Sequence, residues 1–385
     1  MISFSDLDIL RTEEVRRAID ANIERDPVYI ALSKGIPHAQ VVATQVKYLQ
    51  RARRKLPSLY EARCVIPSRA FEQSSSEDSA RRKPLAGGSV LDMTCGLGID
   101  TMALASRFER VVSVERDEVL AEVVRYNMSL LGITNVEVVT ASSEEYVAAT
   151  MEHFDWVFVD PDRRSDEGKK MVCMEDCSPN VVELMPRLRE IANRVAIKLS
   201  PMFDCAEAFR LCSPAEVEVV SVGGECKEVN IYTNAKEDVL RIAVVGEGEW
   251  CFGCESMTEA PSAGVFSPAE YRYLLVPDVA LQKARVAIAA LKPHADIWSN
   301  NGYAFAREIP KESLPARVYA IESIEPYRPK ELKRGWKGVG VEIMKRDCAL
   351  SIDAVRRATG ARPGMQRLVA LTTVGGETWV ITLKQ

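Results

Sequence analysis

Five short apolar runs, at Val90-Leu91, Val111 to Val114, Val136 to Val139, Trp156 to Val159 and Val195 to Leu199, are separated from one another by stretches of helical periodicity. Strands that alternate with helices are the mark of a parallel sheet whose crossovers cover its faces, so the middle of the chain is narrowed to an α/β architecture. After the fifth run the pattern changes. Val217 to Val222 and Val229 to Tyr232, joined through Gly223-Gly224, predict an antiparallel hairpin, and Leu240 to Val245 extends that edge.

The flanks differ in kind. Up to about residue 84, Leu7, Leu10, Val15, Ile19 and Ile23, then Val41, Val42, Val46 and Leu49, recur at helical spacing with no strand pattern among them. Lys47, Arg51, Arg53, Arg54 and Lys55 form a basic cluster stopped by Pro57, either a solvated helix face or a nucleic-acid contact. Ser74 and Glu77 fit the capping box of a helix that starts there. Beyond the sheet, Gly246 to Pro268 is rich in Gly, Ser and Pro and reads as a linker. A helix around Ala280 to Leu291 follows, then a short strand near Val318 to Ile321, the basic segment Tyr327 to Lys337, a strand at Val339 to Met344 and a helix at Ile352 to Thr359. Leu368 to Val374 and Trp379 to Leu383 pair through Gly375-Gly376, a dipeptide suited to a two-residue primed turn.

Composition removes several function classes. In 385 residues, 47% apolar and 27% charged, no uninterrupted apolar stretch approaches the ~18–20 residues of a membrane span. Asp6, Asp8, Glu13 and Glu14 stand where an export signal is basic and then apolar, so a cytoplasmic protein is expected. The 10 cysteines are scattered as in a reducing compartment. Cys251-Phe-Gly-Cys254 is the one close pair, and His38, His153 and His294 are the only histidines, so neither a zinc site nor a histidine-based triad is expected, and no metal. The net charge of -5 is uneven: residues 307–385 carry +6 and the remainder -11. A basic end on an acidic body either binds a polyanion there or is a solvated face.

The chemistry concentrates where the first strand gives way to a helix, at Leu91-Asp92-Met93-Thr94-Cys95-Gly96-Leu97-Gly98-Ile99-Asp100-Thr101. Gly96 and Gly98 let the backbone approach a ligand at a helix N-terminus, and Glu115, 23 residues after Asp92, closes the second strand at the distance of an acid that grips a ribose. Dinucleotide-binding turns carry a third glycine after two intervening residues. Asp100-Thr101 stands there instead, so the turn suits a smaller nucleoside ligand.

These residues resemble motif I of class I S-adenosylmethionine-dependent methyltransferases. The resemblance implies S-adenosylmethionine as cofactor, with Asp92, Thr94 and the Gly96–Gly98 backbone along its methionine end and Glu115 on its ribose hydroxyls. Where the family usually has an acid near the adenine amine, this chain has Ala141-Ser142, which leaves adenine to backbone groups or Ser142. The fourth strand ends in Asp160-Pro161-Asp162-Arg163-Arg164, where methyltransferases acting on nitrogen often carry Asn or Asp, Pro, Pro and an aromatic. A carboxylate there can hold an exocyclic amine and orient its lone pair, which makes Asp160 the candidate aligning group beside Pro161. Arg163 replaces the aromatic; with Arg164 it can stack on a base, grip a phosphate, or be salt-bridged within the fold. Methylation of pyrimidine C5 needs a cysteine nucleophile, which neither this motif nor Lys198-Leu199-Ser200-Pro201 after the fifth strand supplies, so a nitrogen or oxygen acceptor is favoured. Gln73 and Ser75, in a segment similar to that preceding motif I in RNA cap hypermethylases, are candidates for the methionine carboxylate.

The whole chain resembles a bacterial methyltransferase family with a C-terminal THUMP-like domain, through Lys55-Leu56-Pro57, Glu72-Gln73, Ser75-Ser76-Glu77, the fourth-strand motif, Lys198 to Met202, Val341 to Arg346 and Ser351 to Arg357. It implies a Rossmann-like seven-stranded sheet with an N-terminal helical region and ferredoxin-like and THUMP-like α+β modules. The expected divisions are 1–84 helical, 85–250 methyltransferase, 251–320 linker and ferredoxin-like module, and 321–385 THUMP-like. The function expected is methyl transfer to a nitrogen of structured RNA, tRNA or rRNA. A protein or small-molecule methyltransferase, and a non-catalytic RNA-binding protein that retains the fold, fit the same residues.

Overall fold

The computed structural model describes residues 2–162 and 174–384, so Arg163 and Arg164 lie outside the described residues. The chain forms two compact units, Met1–Lys198 and Leu199–Gln385.

The first unit opens with helices α1 (Phe4–Arg11), α2 (Glu13–Asn22), α3 (Pro27–Ala31), α4 (Ala39–Lys55), α5 (Pro57–Glu61), α6 (Ser68–Gln73) and α7 (Glu77–Arg82). Ser3, Thr12 and Asp26 cap the first three through their side chains. In α4, Val42, Val46, Leu49 and Ala52 share a buried face, and Pro57, which fits a first helical turn, ends α4 and starts α5. The capping box expected from Ser74 and Glu77 does not form. Ser76 is the cap of α7, accepting from the Ser79 N–H at 3.2 Å, whereas Ser74 ends α6 and donates to the Phe71 carbonyl at 3.0 Å. Glu77 is turned inward, where it accepts from the Ser58 N–H at 2.8 Å, the Ser58 hydroxyl at 2.7 Å and Arg81 at 2.7 Å, so its carboxylate is held away from the helix start.

The alternating part then runs β1 (Gly87–Asp92), α8 (Ile99–Ala105), β2 (Phe108–Glu115), α9 (Glu118–Leu130), β3 (Val136–Thr140), α10 (Ser143–Ala149), β4 (Phe154–Val159), α11 (Val181–Ile191) and β5 (Ala192–Leu199). All five expected runs are strands, parallel, in the order β3-β2-β1-β4-β5. The order reverses between β1 and β4, and in open α/β sheets the crevice beyond the strand ends at such a reversal is where ligands bind. The N-terminal helices share a core with this sheet unit: Leu7, Val15, Val46 and Leu49 lie in one cluster with Leu97, Ile99, Ala103 and Val123. On α9, the Asn127 amide accepts from the Val65 N–H and donates to the Val65 carbonyl, both at 2.9 Å.

The second unit holds α12 (Cys205–Cys212), β6 (Ala215–Val222), β7 (Glu225–Thr233), β8 (Val239–Val244) and β9 (Gly248–Gly253). The hairpin β6–β7 turns through Gly223 and Gly224 at φ 60 and 82°, and β8 lies parallel to β6 on its other side. The segment expected as a linker is partly structured: β9 pairs antiparallel with β8, its Trp250 and Phe252 placed opposite Ile242 and Leu240. The flanking Gly and Ser residues masked this short alternation.

There follow β10 (Tyr273–Pro277), α13 (Val279–Lys283), α14 (Ala287–Leu291), β11 (Asp296–Ile297), β12 (Ala304–Ala306), β13 (Ala316–Pro326), α15 (Pro329–Trp336), β14 (Gly340–Lys345), α16 (Ile352–Thr359), β15 (Arg362–Val374) and β16 (Glu377–Leu383). The single helix expected over Ala280 to Leu291 is two, broken at Arg285, whose backbone is left-handed at φ 57° and whose guanidinium reaches Asp204 at 2.6 Å. The strand expected near Val318 to Ile321 is longer, 11 residues, with an irregularity between Ile321 and Ser323. The hairpin β15–β16 closes through Gly375 and Gly376 at φ 63 and 82°, the left-handed pair a primed turn requires. No described helix is long and apolar enough to cross a membrane.

Candidate functional site

At the carboxyl end of β1 the chain turns tightly from Asp92 into α8. The Asp92 carboxylate is fully buried; it accepts from the Thr94 N–H at 3.0 Å and from the hydroxyls of Thr101 at 2.6 Å and Ser113 at 3.2 Å. It thus braces the turn from inside. Burial pushes its carboxyl up to about 6 against these hydrogen bonds. Gly96 and Gly98 both have positive φ, 54 and 78°. A Cβ on Gly98 would stand 3.0 Å from both Met128 Cε and Val124 Cγ1, whereas one on Gly96 would meet nothing within 4 Å. One glycine packs the turn onto α9 and the other presents bare backbone to an open face.

Glu115, the last residue of β2, lies against that turn. One carboxylate oxygen accepts from the Gly96 N–H and the other from the Asp117 N–H, each at 2.9 Å. Burial raises its pKa, and the two amides oppose the rise. Each oxygen keeps a lone pair, so the group can accept from a ligand diol without leaving the turn. Ser142 caps α10: its hydroxyl donates to Glu145 Oε2 at 2.9 Å and accepts from the Glu145 N–H at 3.2 Å.

Across the reversal, Asp160 follows β4. Its N–H donates to the Thr94 hydroxyl at 2.8 Å, which joins the two strand tips. Its Oδ2 pairs with the Lys198 ammonium on β5, and no hydrogen bond to Oδ1 is present among the described residues. Pro161 is buried, and Asp162 forms an antiparallel bridge with Ser178. Of the upstream candidates, Gln73 is exposed at the end of α6, while Ser75 enters the site: its hydroxyl donates to Asp100 Oδ2 at 2.7 Å and accepts from Lys198 at 3.0 Å.

Lys83, Asp100 and Lys198 were not among the site residues expected from sequence. Lys83 donates to Asp100 Oδ1 at 2.7 Å, and Lys198 stands 3.8 Å from Asp100 Oδ2. Lys83 is 3% exposed, Asp100 and Lys198 are each 13%, and Asp160 is 36%, so the cluster is closed at its Lys83 end and open at Asp160. Burial opposes ionisation of Asp100, but the two lysines outweigh it and hold the carboxyl well below the usual carboxylate range. One signal was in the sequence: a lysine at the tip of a buried parallel strand has no reason to be there without an acidic partner.

Residues 316–385 match the family model described as THUMP domain-like, and residues 69–175 match that described as Conserved hypothetical protein 95. An uncharacterized S-adenosylmethionine-dependent methyltransferase of Mycobacterium tuberculosis is 25% identical over 330 residues, 83% of this chain and 87% of the relative. A protein of Porphyromonas gingivalis W83, described as a methyltransferase, has a crystal structure that superposes over 100% of both chains with a TM-score of 0.86 and 27% identity. Shorter matches are to a 23S rRNA (uracil-C5)-methyltransferase of Klebsiella pneumoniae, 38% identical over 101 residues, 26% of this chain and 21% of that protein. A tRNA/tmRNA (uracil-C5)-methyltransferase of Colwellia psychrerythraea is 34% identical over 93 residues, 20% of this chain and 26% of that protein. The strand order, the glycine turn and these likenesses define an S-adenosylmethionine-dependent methyltransferase of the class I, Rossmann-like fold. Within that class, its residues 316–385 are similar to THUMP domains, at the C-terminal end of the chain.

Proposed function

We propose that this protein methylates a nitrogen of structured RNA, with Asp160 aligning the acceptor and the C-terminal module, residues 321–385, docking the RNA. S-adenosylmethionine, when bound, supplies a methyl group activated on a sulfonium. The residues at the reversal suit it. The open face of Gly96 admits a ligand to the backbone, Glu115 offers acceptors for a ribose diol, and Thr94 ties the turn to Asp160. Asp92 supports the turn from beneath, Gly98 seats it on α9, and Ser75 is bonded to Asp100 at the start of α8; Gln73 and Ser142 are proposed as further cofactor contacts. Asp160 Oδ1 accepts from an acceptor N–H and so orients the nitrogen lone pair, and Pro161 stiffens the strand tip.

The observation that carries the RNA reading is the state of the cations on the THUMP-like module. Lys330, Lys333, Arg334 and Lys337 on and just after α15, with Arg357 on α16 and Arg362 on β15, are exposed and make no ion pair among the described residues. The ends of α15 and α16 meet, with the Gly338 N–H donating to the Gly360 carbonyl at 2.9 Å and the Arg362 N–H to the Val339 carbonyl at 2.8 Å, so the segments that carry these charges adjoin in a small module. By contrast, the basic cluster of α4 is largely engaged: Arg51 pairs with Glu72, Arg53 with Glu24 at 2.9 Å, and Lys55 donates to the Phe71 carbonyl at 2.8 Å. Unpaired cations in one patch fit a phosphate backbone, which positions a substrate without selecting its base.

A carbon acceptor is the second reading, favoured by the short matches to uracil-C5 methyltransferases. It requires a thiolate nucleophile. Among the described thiols of the first unit, Cys64 and Cys95 are buried and burial pushes both up, Cys64 to about 12; Cys177 is half-buried next to Ser178 of the strand-tip bridge. The test is methyl transfer from labelled donor to total RNA of cells lacking the protein, followed by nucleoside analysis. An N-methylated nucleoside formed by the wild type and not by Asp160→Ala supports the first reading. A C5-methylated pyrimidine whose formation needs Cys177 overturns it in favour of the second. No labelled nucleoside at all overturns both.

A further inference from the structure

The cluster of two lysines and two carboxylates beneath the strand tips is unevenly arranged. Lys83 and Asp100 form a closed pair, with the lysine buried and donating at 2.7 Å. That pair is complete without Lys198. Asp160 is different: among the described residues its charge has one contacting cation, Lys198, while Asp100 acts on it as a like charge and Lys83 as an opposite one without contact. Among the acceptors that hold Lys198 are Asp160 Oδ2, Ser75 Oγ at 3.0 Å and Asp100 Oδ2 at 3.8 Å. Lys55 of α4, which is anchored on the Phe71 carbonyl, also acts on it electrostatically. Among the described residues, charged groups thus face Asp160 and Lys198 from α4, from the end of α7, from α8 and from β5.

We infer that Lys198 is the positioning residue of the transfer step: it keeps Asp160 ionised beside Asp100 and occupies Oδ2, so that Oδ1 is the oxygen left to the acceptor N–H. This inference rests on the proposed role of Asp160. Two features set it apart from a merely structural ion pair. The more exposed member of the pair is the half-buried carboxylate, not the lysine. Ser75, moreover, is bonded to Lys198 and to Asp100, so the lysine cannot move with Asp160 without breaking that bond. A carboxylate next to another carboxylate takes up a proton more readily once its cation is removed, because the like charge then acts uncompensated.

The test uses the full chain labelled with 13C at the aspartate carboxyl carbons, with the Asp160 resonance identified by its loss in Asp160→Asn. In Lys198→Met the Asp160 titration midpoint rises, and in Lys198→Arg it returns toward the wild-type value. In parallel, kcat for RNA methylation in Lys198→Met falls at least about tenfold further at pH 6 than at pH 9, because the protonated carboxyl no longer accepts from the N–H. If Lys198→Met does not fold, Lys198→Gln, which keeps a donor to Ser75 without the charge, carries the same expectation. An unchanged midpoint in the folded neutral variants, or a uniform loss of kcat at all pH values, overturns the inference and leaves the RNA reading standing. A raised midpoint in a protein whose wild type methylates no RNA supports the hold of Lys198 on Asp160 and overturns the RNA reading instead.

Discussion

The Asp160 N–H donates to the Thr94 hydroxyl at 2.8 Å, and this one bond couples the glycine turn after β1 to the carboxylate after β4. The two halves of the site thus share a mechanical link as well as a crevice. Thr94→Val keeps the shape of the side chain and removes the acceptor. We expect a loss of about 1 kcal/mol in urea denaturation, and a fall in kcat that exceeds the change in donor affinity measured by calorimetry. Equal losses in both would place Thr94 on the donor side alone.

The two glycines of the turn separate packing from binding. Gly98→Ala places a methyl 3.0 Å from Met128 and Val124 in a left-handed backbone and is expected to destabilise the protein by about 2 kcal/mol. Gly96→Ala meets no protein atom within 4 Å and costs about 1 kcal/mol for its backbone alone. Its methyl projects onto the open face, so donor binding is lost while the thermal midpoint moves little. Thermal melting with and without S-adenosylhomocysteine reads both effects.

Glu115→Gln leaves one side-chain oxygen where two are now used by the Gly96 and Asp117 amides. The amide nitrogen then faces a backbone N–H, and the turn loses an acceptor for the ribose as well. Donor affinity is expected to fall by about tenfold or more, a loss of about 1.4 kcal/mol, in calorimetric titration. Wild-type affinity in this variant would remove Glu115 from the binding site.

Asp92 gives a pH signature of folding. Its folded carboxyl titrates at about 6 against an ordinary value of 3.8, so the folded chain binds this proton more tightly than the unfolded one. The stability contributed by protonated Asp92 is present below about 3.8 and is lost as pH rises through about 6. Asp92→Asn removes that dependence. Urea midpoints of the wild type should therefore fall relative to those of the variant between pH 4 and pH 7, and parallel curves would refute the shift.

Charge reversal on α15, Lys333→Glu with Arg334→Glu, tests the docking patch. Both side chains are exposed on a helix whose buried anchor is Trp336, so the fold should persist. RNA affinity is expected to drop at least about tenfold at low salt. The dependence of log K on log salt becomes shallower, by about 0.7–0.9 for each phosphate that the patch no longer neutralises. An unchanged salt slope would move the RNA-binding surface elsewhere.

What was readable in sequence follows the range of the interactions. The five strands, the two Gly-Gly hairpins and the helix Ile352–Thr359 are set by apolar patterning and turn chemistry within a few residues, and they stand where expected. The helix start at Ser76 was misread by two residues because the choice between Ser74 and Ser76 is made by Ser58, which draws Glu77 inward from 19 residues away. The break at Arg285 likewise depends on Asp204, 81 residues distant. In the site, Asp92, Glu115 and Asp160 were found from motif spacing, while Lys83 and Lys198 were missed, since a lysine acquires its meaning only from the carboxylate that the fold sets beside it.

The common core of the N-terminal helices and the sheet has a consequence for synthesis. The apolar faces of α2 and α4 have no complete partner until Leu97, Ile99 and Val123 have been made, and Asn127 is needed to clasp the chain at Val65. As the polypeptide leaves the ribosome, its first hundred residues must therefore wait with their oily surfaces uncovered. A truncation that discards the leading helices would strip the glycine turn of the wall on which it is built.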